Sequence, residues 1–311
     1  MRVVALAGGV GGAKLAHGMY RALPAGMLTV VVNTADDFTY WGLNISPDLD
    51  TVMYTLAGIA NEVTGWGITD ETWNALEATG RLGGETWFRI GDKDLATHLR
   101  RTEALRAGQT LSDVTTRMAA ALDIRAGLLP MSDDPVATIV HTPDGPLGFQ
   151  DYFVRRQHRD QVDGIELRGI EHAAVAAPVA TAFAAADAII FCPSNPIVSI
   201  GPILALGSMR ELLRERKVPC VAVSPIVGGK ALKGPADTML QSLGHEPTVV
   251  GVARLYQGLL DGLVIDQLDA RHVAAIHELG FEVLVTDTIM RDVADRERLA
   301  ERVLRWCAEL P

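Results

Sequence analysis

The sequence predicts an α/β protein in which both ends of the chain feed one parallel sheet and a helical and β-hairpin insertion lies between them. Three observations lead there. Short unbroken apolar runs rich in β-branched residues alternate with helical patterns, as expected of strands covered on both faces. The first run enters its helix through a cluster of glycines, which is how a parallel βα unit begins. The stretch from about residue 45 to 175 departs from this alternation.

Taken in order, residues 2–7 form the first strand, Gly8–Gly12 a turn, Ala13–Ala22 a helix ended before Pro24, and Leu28–Asn33 the second strand. Helices are expected at 48–60, 70–79, 92–107 and 112–123; Ser46 serves as N-cap before Pro47 in the first, and Asp92 opens the third after Gly91. Val136–His141, the turn Pro143-Asp144-Gly145-Pro146 and Leu147–Val154 read as a β-hairpin. Four more buried strands follow at Ala188–Cys192, Pro219–Ser224, Gly262–Ile265 and Glu282–Val285. The division is a core of residues 1–45 and 176–311 carrying an insertion of residues 46–175.

With 48% hydrophobic and 21% charged residues, the 311-residue chain has ordinary globular composition, which excludes disorder and low-complexity classes. A net charge of −10 repels nucleic acid and anionic lipid, so neither is an expected partner. Cys192, Cys220 and Cys307 form no CxxC pair and read as three reduced thiols. The apolar start is too short for a signal segment and no run is long enough to span a membrane, so a cytoplasmic location is expected.

The candidate chemistry lies at strand ends. Gly8-Gly9-Val10-Gly11-Gly12-Ala13-Lys14 opens a helix, where bare amides and the helix dipole suit a phosphate. It fits no standard fingerprint, because Lys14 stands where G-x-G-x-x-G needs its third glycine, and a plain tight turn is the structural alternative. Asp36 and Asp37 end the second strand, at the crevice side of a parallel sheet. Either could hold a ribose or Mg²⁺, or cap its own loop. Asp48 and Asp50 lie in a first helical turn, where carboxylates are favoured without any function. Together with Asp36 and Asp37 they make four acids in a short stretch, which suits Mg²⁺ with its open water positions.

Other candidates are the Arg89 and Gly91–His98 segment and the acidic turn Ser132-Asp133-Asp134, both of which also read as ordinary caps and turns. Pro193-Ser194-Asn195-Pro196 and the loop from Ser224 to Pro235, with Lys230 and Lys233 among glycines, follow buried strands and point into the same crevice. No G-x-S-x-G turn or zinc-hydrolase motif occurs. Glycine-rich loops, lysines and carboxylates make a set suited to phosphoryl or nucleotidyl transfer.

Seven of these segments, in order along nearly the whole chain, resemble the 2-phospho-L-lactate transferase (CofD) family of coenzyme F420 biosynthesis: 8–14, 31–37, 46–51, 91–98, 130–134, 193–196 and 224–226. The resemblance implies a Rossmann-like core. It also implies Mg²⁺-dependent transfer of a phosphorylated three-carbon acid from a guanosine diphosphate conjugate to the 5′-hydroxyl of the deazaflavin Fo, with release of GMP. The acid would be phospholactate, phosphoenolpyruvate or phosphoglycerate. On that resemblance Gly9, Gly11, Gly12, Lys14, Ser194, Asn195, Ser224, Lys230 and Lys233 face the nucleotide and its phosphates, while Asp50, Arg89 and Lys93 face Fo. Asp37, Asp48 and Asp50 lie nearest the metal, and Asp50, Asp37 and Lys93 are the catalytic candidates. Many relatives carry Arg at the position of Lys93, so this chain keeps the charge and loses the bidentate geometry there. A homodimer is expected by analogy. Two other readings compete. One is a nucleotide-sugar-binding regulator of the gluconeogenesis-factor-like branch, which would not need the 46–51 and 91–98 segments; the other is an NAD(P)-dependent reductase, against which the missing third glycine argues.

Overall fold

The structure is a computed structural model that describes residues 1–310. Its elements are β1 (Val3–Ala7), α1 (Gly9–Ala22), β2 (Leu28–Val32), β3 (Phe38–Tyr40), β4 (Leu43–Ile45), α2 (Pro47–Leu56), α3 (Asn74–Arg81), α4 (Asp92–Arg106), α5 (Leu111–Ala121) and β5 (Gly127–Pro130). There follow β6 (Ala137–Thr142), β7 (Gly145–Gly148), β8 (Gly164–Arg168), α6 (Ala177–Ala184), β9 (Ala188–Phe191), α7 (Ile200–Ala205), α8 (Met209–Glu215) and β10 (Cys220–Val223). The chain closes with β11 (Ile226–Val227), β12 (Lys230–Ala231), α9 (Ala236–Ser242), α10 (Val249–Leu255), β13 (Gly262–Asp266), α11 (Val273–Glu278), β14 (Glu282–Thr286) and α12 (Val293–Glu309).

Seven parallel strands in the order β14-β13-β10-β9-β1-β2-β5 form the central sheet, so the predicted α/β class holds. Both faces are covered, as the unbroken apolar runs require. Val3, Ala5 and Ala7 pack with α1, α2 and α12 through Leu15, Met19, Val52, Leu299 and Val303. Val4 and Leu6 pack on the other side with Val179, Ile200, Ile203 and Val252. The chain steps from β1 to β2 on one side and returns to β9 on the other, so the crevice above the carboxyl ends of β1 and β9 is the ligand position such sheets favour.

Three local expectations change. Gly127–Pro130, inside the segment read as an insertion, returns to the sheet as its edge beside β2. It is four residues ending in proline, too short to register as a strand. The hairpin β6–β7 forms, but Phe149–Val154 leaves the strand path, with a π-helical turn over Asp151–Arg155. Phe149, Tyr152 and Phe153 share a helical face and pack with Val162, Val198 and Met239, which alternation along a strand would prevent. The third strand of that small sheet is β8. Ser46 holds the N-cap position of α2 but does not cap it: its hydroxyl donates to Asp37 Oδ2 at 2.6 Å. The three cysteines are free and buried, and among the described residues no helix is long and apolar enough to cross a membrane.

Candidate active site

A cavity of about 780 Å³ opens over the crevice. Its first wall is the start of α1. Gly9 adopts φ +61°, a left-handed conformation that glycine takes without strain, and its N–H donates to Asp48 Oδ1 at 2.8 Å. Gly8 N–H donates to Ser194 Oγ at 3.0 Å. A Cβ at Gly11 would stand 2.3 Å from the Pro193 carbonyl, so only glycine lets helix and turn close. Gly12, packed the same way on Ser194, does not reach the cavity. Gly9 is committed to Asp48, while Val10 and Gly11, whose first-turn amides have no acceptor within the helix, line the cavity. Lys14 lies behind them, its amine donating to the Met290 carbonyl at 2.8 Å. Burial, then the Arg296 and Lys233 charges, lowers its proton affinity.

Asp36 and Asp48 converge on one amide. Asn33 Nδ2 lies 3.1 Å from Asp36 Oδ2, 3.0 Å from Asp48 Oδ2 and 3.2 Å from the Val198 carbonyl. Two hydrogens cannot satisfy three acceptors, and Asp36 Oδ1 and Asp37 Oδ1 are buried with no partner. Burial, then repulsion from Asp48, pushes the Asp36 carboxyl well above the usual range. Burial pushes Asp48 up to about 6 against the bonds from Asn33 and Gly9. Burial also raises Asp37, which Ser46 and Arg101 oppose. Of the acids expected near a metal, Asp48 lies in this cluster. Asp37 is bonded to Ser46 behind the cavity wall, and Asp36 takes the cavity position instead.

Asp50 belongs to a different group. Its carboxylate receives both ends of the Arg101 guanidinium, Nη1 at 3.1 Å from Oδ2 and Nη2 on Oδ1, and both side chains are buried. His98 Nδ1 lies 3.6 Å from Asp50 Oδ2, and its Nε2 lies 3.3 Å from Asp94 Oδ1, to which the Tyr54 hydroxyl donates at 2.6 Å. Asp50, Asp94 and His98 have metal-ligand spacing, but Arg101 already supplies the positive charge beside Asp50. Asp50 is therefore ion-paired where it faces the cavity.

The opposite wall is aromatic. Trp87 and Phe88 line it, backed by Phe38 and Tyr40, and Phe149 and Phe153, stacked at 5.5 Å, line the cavity as well. Arg89 lines the same wall with its guanidinium 4.2 Å over the Trp73 ring. Lys93 does not reach it: its amine donates to the Thr69 carbonyl at 2.8 Å. Lys230 also lies outside, 81% exposed and 4.0 Å from Asp237, whereas Lys233 lines the cavity.

Ser194, Asn195 and Ser224 border the cavity with side chains already engaged. Asn195 Oδ1 accepts from the Ile197 amide at 2.9 Å, and Ser224 Oγ accepts from the Ile226 amide at 3.1 Å. Asp133 and Asp134 of the acidic turn serve structure alone, accepting from the amides of Ser112 and Ala174. Sequence reasoning missed Arg101, a charge inside an ordinary helix, and Thr288–Met290, which line the cavity after β14. The second had a signal, since it too follows the carboxyl end of a sheet strand. Asp266 Oδ2 fixes it by accepting from Thr288 N at 2.8 Å and from its hydroxyl at 3.1 Å.

Residues 3–303 match the protein family described as 2-phospho-L-lactate transferase CofD. A phosphoenolpyruvate transferase of Streptomyces griseus is 44% identical over 316 aligned positions, spanning 100% of this chain and 99% of the relative. A 2-phospho-L-lactate transferase of Methanosarcina acetivorans is 42% identical over 302, spanning 97% and 98%. A solved UPF0052-family structure from Bacillus halodurans has a TM-score of 0.65 at 14% identity, covering 97% of this chain and 98% of that one, and so shares the fold.

Two outcomes follow from the acids. Arg101→Met leaves Asp50 buried and unpaired, and is expected to lower the unfolding free energy by about 3–5 kcal/mol in urea titration; an unchanged midpoint would refute the pairing. Asp48 has a folded pKa of about 6 against an ordinary 3.8, so its contribution to stability is present below the lower value and lost as pH rises through the upper one. The protein is expected to lose thermal stability from pH 4 to 6 more steeply than Asp48→Asn does, and equal slopes would contradict this.

Proposed function

The chain belongs to the 2-phospho-L-lactate transferase (CofD) family, and from that premise we propose that it is a transferase of coenzyme F420 biosynthesis. Its reaction joins a phosphorylated three-carbon acid, presented as a guanosine diphosphate conjugate, to the 5′-hydroxyl of Fo. The hydroxyl oxygen attacks the phosphorus that bears the acid, the bridging P–O bond breaks with its electron pair going to the departing GMP phosphate, and the hydroxyl proton passes to water. One observation carries the reading: a single cavity is lined by glycines and lysines, by aromatic side chains and by the buried acids Asp36, Asp48 and Asp50.

Each wall suits one substrate. The Val10 and Gly11 amides, Lys14 and Lys233 would bind the diphosphate, by backbone donors at a helix start and by point charges. Trp87, Phe88, Phe149 and Phe153 would stack the planar deazaflavin. Asp50, immobilised by Arg101, would accept a hydrogen bond from the ribityl chain and hold its terminal hydroxyl toward the phosphorus.

Mg²⁺ fits the acids present. Asp36 has a buried oxygen without a partner, and the repulsion between Asp36 and Asp48 is the kind a divalent cation relieves. Asp36 and Asp48 would hold the ion, with Asp37 behind them. When bound it would neutralise the diphosphate and the departing GMP. The acid group stays open among the three, since relatives named for two different acids are about equally similar to this chain.

Incubation with Fo and each guanosine diphosphate conjugate should yield, for at least one acid, a product of Fo joined to the acid phosphate, with one GMP released per product, by mass spectrometry. Asp50→Asn, which keeps an acceptor oxygen for the buried Arg101 guanidinium, should lower that turnover at least roughly 10²-fold under conditions where circular dichroism shows the variant folded. No product from any of the three donors would overturn the assignment.

A further inference from the structure

Between α2 and α3 the chain folds back on itself. Ala60 bridges Ile68, Asn61 N–H donates to the Gly67 carbonyl at 3.0 Å, and Gly65 N–H donates to the Asn61 carbonyl at 2.8 Å. Asn61 Oδ1 accepts from the amides of Val63 at 3.0 Å and Thr64 at 3.2 Å. The result is a compact strap, Asn61–Gly67, that largely satisfies its own backbone. Thr64, Trp66 and Gly67 line the cavity, while Val63 is 93% exposed.

Two side chains fasten the strap to the body. Arg296 of α12 forks onto Glu62, with Nη1 3.0 Å from Oε1 and Nη2 on Oε2. Lys233 Nζ lies 3.5 Å from the Thr64 carbonyl. The strap lies close over the start of α1: a Cβ at Gly65 would stand 2.6 Å from Lys233 Nζ and 3.4 Å from Val10 Cγ1. Arg296 and Lys14 thus lie near Glu62, and Lys233 lies near Lys14 and under the strap.

The pairing is asymmetric. The Arg296 side chain is 3% exposed and that of Glu62 is 62% exposed. A buried guanidinium without a partner is costly, so Arg296 favours whichever strap position keeps Glu62 seated. Lys233 has three ammonium hydrogens and can bond the Thr64 carbonyl and a phosphate oxygen together, which couples strap seating to anion binding.

We propose that Asn61–Gly67 is a strap that closes over the phosphates of the anionic donor, and that Arg296 and Glu62 are positioning residues forming its latch. This rests on reading the Lys14 wall as the phosphate side. Removing the Glu62 charge alone would leave the cationic wall more attractive to anions, whereas releasing the latch weakens anion binding, so the two effects have opposite signs.

The test measures GDP affinity by calorimetry, and hydrogen exchange over residues 57–69, for the full-length wild type, Glu62→Gln and Arg296→Lys. Glu62→Gln, a change at a mostly exposed side chain, should weaken GDP binding about five-fold, the upper range for one such ion pair, and speed strap exchange. The KM for the donor should rise with it and the KM for Fo should stay unchanged. Arg296→Lys, which keeps the charge and loses the fork, should fall between the two. GDP binding equal to or tighter than wild type in Glu62→Gln, or unchanged exchange, would overturn the latch. A wild type that fails to bind GDP would overturn the phosphate reading itself.

Discussion

The Asp48 carboxylate ties together the three segments that make the cavity. One oxygen accepts the Gly9 amide at the start of α1, and the other accepts Asn33 at the end of β2, while Asp48 itself rides on the first turn of α2. These bonds fix where the glycine turn, the acidic strand end and α2 sit relative to one another. They come at an electrostatic cost, because Asp36 is crowded onto the same Asn33 amide and burial disfavours both charges. Such crowding is what supports the proposed Mg²⁺ site, since a divalent cation relieves repulsion between carboxylates.

Two residues further along the same helix, the opposite solution appears. Asp50 is as buried as Asp36, but Arg101 neutralises it with a two-pronged contact, and His98, Asp94 and Tyr54 complete a polar network behind it. One helical turn thus presents Asp48, which shares an amide donor with Asp36, and Asp50, which Arg101 neutralises. That difference divides the proposed labour: Asp48 and Asp36 for the metal and phosphates, Asp50 for the acceptor.

The α/β architecture was legible because buried parallel strands are short, apolar and β-branched, and Val3–Ala7, Ala188–Phe191 and Cys220–Val223 have that character. The glycine turn and the strand-end acids were legible for the same topological reason, since a parallel sheet sends its strand ends to one crevice. Less was readable where tertiary partners decide the role. Lys93 reads in sequence as a contact for Fo and Lys230 as a phosphate ligand, yet one is spent on the Thr69 carbonyl and the other points to solvent. Arg101 is an ordinary helical arginine until the fold brings the distant Asp50 of α2 to it. Glu62 and Arg296, far apart in sequence, carry no local signal at all.

The division between Asp48 and Asp50 is the centre of this account and is measured most directly by calorimetric titration of Mg²⁺ in the presence of GDP. Asp48→Asn should abolish Mg²⁺ binding, and Asp50→Asn should leave it close to wild type. Loss of binding in Asp50→Asn with retention in Asp48→Asn would contradict the account.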